Sequence, residues 1–264
     1  MNTMDTIVSK FEKLIDIMAN LRSENGCPWD REQTFESLRQ FLLEETYEVL
    51  ELIDEGRYAE LQFELGDLLL QIIFQSQIAN EMKLFDIGDV LENINKKLIH
   101  RHPNVFGDVA INSAEEQTIN WEKMKRKEGK KSVIDGVPKE LSALLRAHRL
   151  QGKAATVGFD WEKVEDVWDK VEEELAELRE AIAKSDKTGI EEEFGDVLFS
   201  FVNLSRFLKV NPEDALRRTI EKFTGRFKLL ENQFARKNIN LSDITLEEMD
   251  AAWNEIKKES NDRS

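Results

Sequence analysis

The chain has 264 residues, of which 41% are hydrophobic, and a formal net charge of −16. This length allows one large domain or two ordinary ones, and the negative charge argues against direct binding of nucleic acid, because phosphate contacts need basic surface. Cys27 is the only cysteine, which excludes an intrachain disulfide and a zinc framework.

Helical periodicity runs along the chain, and the sequence predicts an all-α fold. The predicted helices of the first half cover residues 3–23, 34–55, 57–82, 88–101 and 114–128. Those of the second half cover residues 139–154, 161–184, 188–208, 212–237 and 245–259. Asp30 and Thr34 are predicted to cap the second helix, and Asp160 is predicted to cap the acidic helix of the second half.

A glycine- and lysine-rich segment, GKKSVIDGVPKE, separates the two halves and has the composition of a linker. We therefore predict tandem helical-bundle domains at residues 1–128 and 139–264, each of four to five helices, with a linker at 129–138. Short bundles bury more core by pairing, which favours a homodimer. No apolar signal core and no apolar run of membrane-spanning length occurs, which predicts a cytoplasmic location without membrane contact.

An acidic pattern occurs twice, each time as Glu-Glu-x-x-Glu followed by Glu-x-x-Asp. The first copy is Glu44, Glu45, Glu48, Glu64 and Asp67, and the second, 129 residues later, is Glu173, Glu174, Glu177, Glu193 and Asp196. Carboxylates spaced by three and four residues share one helix face, where they repel each other unless a cation lies between them. Two such helices predict an all-oxygen site for Mg²⁺, with Mn²⁺ as a substitute, and the lack of histidine in the clusters argues against di-iron.

Asp67 and Asp196 interrupt strongly apolar stretches, so we expect both carboxylates to point into the bundle. An isolated buried charge is costly, and this favours metal ligation over the alternatives of solvated surface and internal salt bridges. Gly66 and Gly195 precede these acids and are expected to let helices approach closely.

Two further patterns follow the acids in each half. A Lys-x-x-x-Arg pair occurs as Lys97 with Arg101 and as Lys222 with Arg226, and a Trp-x-x-x-Lys pair occurs as Trp121 with Lys125 and as Trp253 with Lys257. Taken alone, such cations are more often surface salt-bridge partners and such tryptophans are core residues. The repetition in step with the acids favours phosphate binding by Lys222 and Arg226, and leaves stacking of Trp253 on a base open.

Several motifs together resemble the MazG family of two-domain bacterial nucleoside triphosphate pyrophosphohydrolases. They are NGCPWDREQT, LLEETYEVLEL, ELGDLLLQIIF, KKLIHRHPNVF, VGFDWEKVEDV, VEEELAELREA and EEFGDVLFSFVNLSR, and they extend from about residue 5 to residue 258. The resemblance implies all-α helical bundles, usually dimeric, that use Mg²⁺ to cleave NTPs and dNTPs to a monophosphate and pyrophosphate. It also implies that activity belongs chiefly to the C-terminal domain.

Carried over residue by residue, the resemblance assigns roles to both halves. Glu174, Glu177, Glu193 and Asp196 would bind the metal, Lys222 and Arg226 the phosphates, and Trp253 and Lys257 would lie near the nucleotide. Glu45, Glu48, Glu64 and Asp67 form a second candidate metal site, and Lys97 and Arg101 a second candidate phosphate site.

We expect water to attack the α-phosphorus, with Glu173 or Glu192 as the general base. Three alternatives stay open from the sequence. They are a Mg²⁺-dependent nucleotide sensor without turnover, a helical interaction module with an acidic docking face, and a related reaction such as phosphoribosyl-ATP pyrophosphohydrolysis.

Overall fold

The computed structural model describes residues 3–113, 116–118, 120–121, 124 and 132–261, and these residues contain helices and no strand. The predicted all-α fold is therefore confirmed for the described part of the chain. The chain divides into two compact units, residues 1–111 and 112–264. This division assigns residues 112–128 to the second unit, whereas the sequence-based limits assign them to the first. The predicted helix at 114–128 falls largely outside the described residues, as does Lys125.

The first unit is a set of helices built around one long hairpin. Its elements are α1 (Thr3–Leu21), α2 (Pro28–Glu32), α3 (Leu38–Glu55), α4 (Leu61–Glu81), α5 (Ile87–Arg101) and α6 (Pro103–Phe106). Helices α3 and α4 pack along each other, and α1 and α5 pack against α4. Gly56 ends α3 with a φ of 69°, a left-handed conformation that glycine adopts without strain, so the chain can turn back into α4.

The core of the first unit lies between α1, α3 and α4. Its buried side chains are Met18, Leu38, Ile73, Phe74 and Ile78. Phe41 and several other half-buried apolar residues pack around them. On α4, Ile73, Phe74 and Ile78 are buried in this core, whereas other apolar residues of the same helix are exposed.

The second unit repeats the hairpin and adds a further helix pair. Its elements are α7 (Ala143–Ala155), α8 (Val164–Lys184), α9 (Lys187–Phe207), α10 (Pro212–Arg236), a 3-10 turn (Leu241–Asp243) and α11 (Leu246–Asn261). Helices α8 and α9 pack along each other, α7 packs against α9, and α10 packs against α7 and α11. Asn211 caps α10 by accepting hydrogen bonds from the N–H groups of Glu213 and Asp214 at 3.0 and 3.4 Å, with Pro212 in the first turn as the sequence predicts.

Two buried clusters hold the second unit together. Val167, Val171 and Leu204 form the one between α8 and α9, and Leu230, Phe234, Ala252 and Ile256 form the one between α10 and α11. Because the clusters are separate, the acidic hairpin and the α10–α11 pair each have their own apolar contacts. None of the described helices combines the length and the apolar character needed to cross a membrane.

Candidate metal and nucleotide site

The acidic hairpins bring carboxylates from two helices together in both units. Glu174 and Glu177 come from α8 and Glu193 from α9, and one carboxylate oxygen of each lies within 4.8 Å of the others. Glu45 and Glu48 from α3 and Glu64 from α4 form the same arrangement in the first unit. Three converging carboxylates offer the hard oxygen ligands that Mg²⁺ prefers. The structure therefore brings together three of the four predicted metal ligands in each half.

The electrostatics of these clusters favours a cation between the carboxylates. Burial, followed by the charges of Glu177 and Asp196, raises the pKa of Glu193 above its usual value. In the first unit, burial and the charge of Asp67 raise the pKa of Glu45. A raised carboxyl pKa means that the ionised form is disfavoured, here by burial and then by neighbouring negative charges, and a divalent cation would compensate for both. The donor set thus fits Mg²⁺.

The fourth acid of each set lies beside its cluster, in an exposed position. Asp67 and Asp196 are exposed in the chain, so the expectation that they point into the bundle is wrong. Several apolar residues near them, namely Leu65, Leu69, Phe194 and Leu198, are also exposed, so an apolar stretch did not mark a fully buried helix here. The expected close approach at Gly66 and Gly195 is also wrong. In the described part of the chain, nothing lies within 4 Å of where a Cβ would stand at either glycine.

Lys170 forms an ion pair with the second cluster. Its Nζ donates to Glu174 Oε1 at 2.7 Å and to Glu173 Oε1 at 2.9 Å, and these hydrogen bonds raise the pKa of Lys170. Glu174 is 6% exposed, so Lys170 partly neutralises a buried carboxylate. Glu173, one candidate base, is therefore paired with a lysine, whereas Glu192, the other, is exposed and adds to the raised pKa of Glu193.

A cavity of about 340 Å³ opens beside the second cluster. Glu174 and Asp196 line it on the acidic side, and its other polar and charged side chains include Gln151, Asp160, Lys170, Ser200, Asn203 and Arg206. The remaining lining is mainly apolar and aromatic. Carboxylates at the edge of such a cavity can hold a metal against the phosphates of a ligand whose other end occupies the apolar space.

A loop before α8 closes one side of this cavity. Asp160 was predicted to cap α8, but that helix begins at Val164, and the Asp160 carboxylate instead accepts a hydrogen bond from Arg206 Nη2 at 2.6 Å. Arg206 also donates to Asn203 Oδ1. This long-range pair ties the loop that carries Phe159 and Trp161, both cavity-lining residues, to α9. The capping prediction for Asp160 is wrong because a distant arginine competes for the carboxylate.

The predicted nucleotide-binding residues of the second half lie together on the α10–α11 pair. Trp253 packs on Phe223, with ring centroids 5.3 Å apart. Phe223 directly follows Lys222 in the sequence. Lys222 and Lys257 are exposed, and Arg226 is half-buried. The extensive packing of α10 is with α7 and α11, so the described chain does not pack these cations closely onto the acidic hairpin.

In the first unit, the candidate phosphate residues lie on α5. Lys97 is exposed and lines a shallow cavity of about 430 Å³ with Phe85, Asp89 and Asn93, and Arg101 is half-buried near the end of the helix. Because α5 packs on α4, these cations belong to the same unit as the Glu45 cluster.

Sequence reasoning assigned no role in the site to Lys170, Asn203 or Arg206, which line the second-unit cavity. Lys170 stands four residues before Glu174, a spacing that predicts an ion pair on one helix face. Asn203 stands 129 residues after Phe74, and Arg206 stands 129 residues after Gln77. A position-by-position comparison of the two repeats would therefore have shown a polar residue, Asn203, in place of the apolar Phe74.

The chain is similar to known proteins over nearly its whole length. The family model described as the MazG nucleotide pyrophosphohydrolase domain matches residues 33–106 and 162–230, which include both acidic hairpins. The nucleoside triphosphate pyrophosphohydrolase/pyrophosphatase MazG of Thermotoga maritima is 48% identical over 94% of this chain and 95% of its own length.

Two further relatives are similar over nearly the whole chain. The nucleoside triphosphate pyrophosphohydrolase of Escherichia coli K12 is 40% identical over 97% of this chain and 100% of its own length. An uncharacterized Bacillus subtilis protein, YabN, is 44% identical over 94% of this chain and 52% of its own length. With a family model that matches both halves and relatives of this similarity, the chain belongs to the MazG family.

Proposed function

We propose that the protein is a Mg²⁺-dependent nucleoside triphosphate pyrophosphohydrolase that converts an NTP or dNTP and water to the monophosphate and pyrophosphate. The observation that carries this proposal is the three-carboxylate cluster of the second unit, which opens onto a cavity of about 340 Å³. Relatives that align over nearly the whole chain are named for this reaction.

The residues of the second unit divide the work of catalysis. Glu174, Glu177 and Glu193, with Asp196 beside them, would hold Mg²⁺, or Mn²⁺ in its place. When bound, the metal supplies positive charge for the phosphate oxygens and for the acidification of water. Binding of a metal at Glu174 would compete with Lys170 for that carboxylate, which leaves the Lys170 ammonium available to a phosphate of the substrate.

The general base must be a carboxylate that stays outside the ligand set. Glu192 is exposed beside Glu193, while Glu173 hydrogen-bonds to Lys170 at 2.9 Å. The Glu173 oxygen that accepts from Lys170 is already occupied, so it is less available to accept a hydrogen bond from water. Of the two sequence candidates, we therefore favour Glu192 as the residue that takes the proton from the attacking water.

We also propose that the protein is a homodimer whose second copy covers the open face of the acidic hairpins. On α9, the apolar side chains of Phe194, Leu198 and Phe201 are exposed at i, i+4 and i+7, so they share one helix face. The same stripe is exposed on α4 at Leu65, Leu69 and Ile72. An apolar stripe at the same positions of both units is suited to pairing with another copy, because each unit then completes a larger bundle.

Dimerisation would also offer a route to bring Lys222, Arg226, Trp253 and Lys257 to an acidic cluster. These residues line the α10–α11 pair, which packs mainly on α7 within the chain. The cytoplasmic location and the lack of nucleic-acid binding stay predictions from charge and composition.

Identification of the reaction products tests the proposed function directly. The protein is incubated with each NTP and Mg²⁺, and the products are separated by ion-exchange chromatography. The proposal predicts monophosphate and pyrophosphate in equal amounts, with ¹⁸O from labelled water on the monophosphate. Orthophosphate with a diphosphate, or binding without turnover, would contradict it.

Analytical ultracentrifugation tests the proposed homodimer. The double variant Leu198→Glu with Leu69→Glu places charges on both apolar stripes and should disrupt the dimer.

A further inference from the structure

Residues 132–136, which fall within the predicted linker of 129–138, fold into a turn at the edge of the second-unit cavity. The N–H of Ser132 donates to Asp135 Oδ2 at 2.8 Å, and the N–H of Asp135 donates to the carbonyl oxygen of Ser132 at 3.2 Å. Gly136 follows with a φ of 76°, a left-handed conformation that glycine adopts without strain. The turn is therefore held by its own hydrogen bonds, and its Ile134 side chain lines the cavity.

Ile134 is an apolar side chain that the folded chain covers only in part. It lines the cavity together with Leu150 and Ala154 of α7 and Phe199 of α9, and it is 50% exposed. An exposed isoleucine beside an apolar cavity loses contact with water when a ligand enters, and this burial of apolar surface favours binding. Ile134 is thus placed to contact the molecule that occupies the cavity.

A buried lysine holds the turn against α7. Lys153 is 8% exposed, and its Nζ donates to the carbonyl oxygen of Val133 at 3.2 Å, directly before Ile134 in the chain. A buried ammonium is unfavourable unless it is hydrogen-bonded, so movement of the turn away from α7 would leave Lys153 with one acceptor fewer. Lys153 is not among the described residues that line the cavity. Its effect on a ligand must therefore pass through the turn.

The described residues at the matching positions of the first unit do not repeat this arrangement. The residue 129 positions before Ile134 is Asp5, which lies in α1, and the residue 129 positions before Lys153 is Glu24. Both of these acids are exposed. Helix α7 has 13 residues whereas α1 has 19, so a segment that is helical in the first unit is a turn in the second. The turn and its lysine therefore belong to the unit that has the 340 Å³ cavity.

We infer that the turn of residues 132–136 is a wall of the substrate site, in which Ile134 contacts the bound nucleotide and Lys153 is the positioning residue that holds Ile134 in place. This role rests on the proposed function, because the substrate is the molecule that the wall would contact. An apolar contact of this kind is made equally in the ground state and in the transition state. The wall should therefore affect how tightly the substrate is held and leave the chemical step unchanged.

Truncation of Ile134 tests the contact. Ile134→Ala should raise KM about three- to tenfold for the NTP that is hydrolysed fastest, because less apolar surface is buried in the complex, and kcat should stay within about twofold. Isothermal titration calorimetry with Mg²⁺ and the α,β-methylene analogue of that NTP, whose α,β linkage resists hydrolysis, should show the same loss of affinity. If no NTP is hydrolysed, α,β-methylene ATP is the probe. Ile182→Ala changes a similarly exposed isoleucine of α8 outside the cavity lining, and as the matched control it should change neither value.

A double-mutant cycle tests the role of Lys153. Lys153→Met removes the ammonium, keeps a side chain of similar length, and should weaken binding of the analogue as much as Ile134→Ala does. The double variant should bind it no more weakly than either single variant, because Lys153 acts through Ile134. Lys139→Met, at an exposed lysine after the turn, is the control and should have no effect. Asp135→Ala loosens the same turn at an exposed position, should weaken binding in the same way, and replaces Lys153→Met if that variant does not fold.

The outcomes distinguish the wall from the proposed function. Unchanged affinity for the analogue in Ile134→Ala, or a loss of kcat with KM retained, would overturn the wall. Losses that multiply in the double variant, with the helical circular dichroism spectrum retained, would overturn the positioning role of Lys153. Binding of α,β-methylene ATP that depends on Ile134, without hydrolysis of any NTP, would refute the proposed function and leave the wall standing. No binding of either analogue by the unchanged protein would overturn both.

Discussion

The two units carry the same acids on the same hairpin, but they fill the space beside those acids differently. In the first unit, Phe74 is 3% exposed and belongs to the apolar core, with Phe41 packed against that core. The residues 129 positions later are Asn203 and Lys170, and they line the cavity of the second unit. The carboxylate cluster is thus present in both units. Two positions that line the cavity in the second unit are occupied in the first unit by Phe74, which is buried in the core, and by Phe41, which packs against it.

An arginine reinforces the filled state of the first unit. The Arg22 guanidinium lies 5.4 Å from the centre of the Phe74 ring. Its Nε donates to Glu81 Oε1 at 2.9 Å, and its Nη2 donates to Glu81 Oε2 at 2.7 Å. Burial of its guanidinium between an aromatic ring and a carboxylate stabilises this packing. The two units therefore share the acidic cluster, and within the described residues they differ in whether a cavity opens beside it.

The largest expected effect is on kcat, which should fall much more when the cluster of the second unit is changed than when that of the first unit is. Glu177→Gln removes a metal ligand next to the cavity and should lower kcat roughly 10³-fold or more, because a bound metal contributes several kcal/mol to catalysis. Glu48→Gln makes the same change in the first unit and should reduce kcat less than about twofold. Pyrophosphate release measures both. Glu180→Gln, on the exposed side of α8, is the control, and equal losses in the two cluster variants would contradict the comparison.

The next effect is on stability, and it should fall on the first unit. Phe74→Ala leaves a void in a packed core and should lower the free energy of unfolding by about 3–5 kcal/mol. Asn203→Ala at the matching position enlarges an existing cavity and removes one acceptor from Arg206, which should cost only about 1 kcal/mol. Urea denaturation followed by circular dichroism measures the two values. Similar losses would mean that both positions are structural.

Local features of the fold and the site could be predicted from the sequence, whereas features that depend on distant residues could not. The hairpins and their acids were predictable, because helical periodicity and the spacing of Glu174, Glu177 and Glu193 are local properties of the chain. The role of Asp160 was not, because it depends on Arg206, which lies 46 residues away. The exposure of Asp196 was also mispredicted, since an apolar helix face can be reserved for another copy as well as for the core of its own chain.

Metal removal should sharpen the comparison, because both clusters are expected to bind Mg²⁺. At a Mg²⁺ concentration of about 100 times Kd, binding to the folded state should add about 2.7 kcal/mol to a unit's stability. Thermal unfolding with Mg²⁺ and with EDTA measures the difference. Glu48→Gln should abolish the stabilisation by Mg²⁺ of the first unit, and Glu177→Gln should abolish that of the second. Stability that Mg²⁺ leaves unchanged in every form of the protein would favour an acidic docking face over a metal site.

The same measurement has an expected pH dependence. The pKa of Glu193 is raised in the folded, metal-free protein, so the folded state retains a proton that the unfolded chain has released. Stability without metal should therefore decline as pH rises above about 4.5, toward and through the raised pKa. Because Mg²⁺ binds the ionised carboxylates, its stabilising effect should be larger at about pH 7.5 than at about pH 5. A Mg²⁺ effect that is independent of pH would contradict this.

The smallest expected effect concerns acid sensitivity of the second unit. Burial, followed by the charges of Arg206 and Arg149, lowers the pKa of His148 below 6.5. The unfolded chain then binds a proton at a higher pH than the folded protein, so stability should fall as pH decreases through about 6.5 toward the lowered pKa. His148→Gln should reduce the loss of stability between about pH 7 and pH 5.5, by under about 1 kcal/mol because the ring is partly solvated. His100→Gln, an exposed histidine of the first unit, is the control, and thermal melts across this range measure both. An identical pH profile in His148→Gln and the unchanged protein would show that neither burial nor the nearby arginines lower the pKa of this histidine.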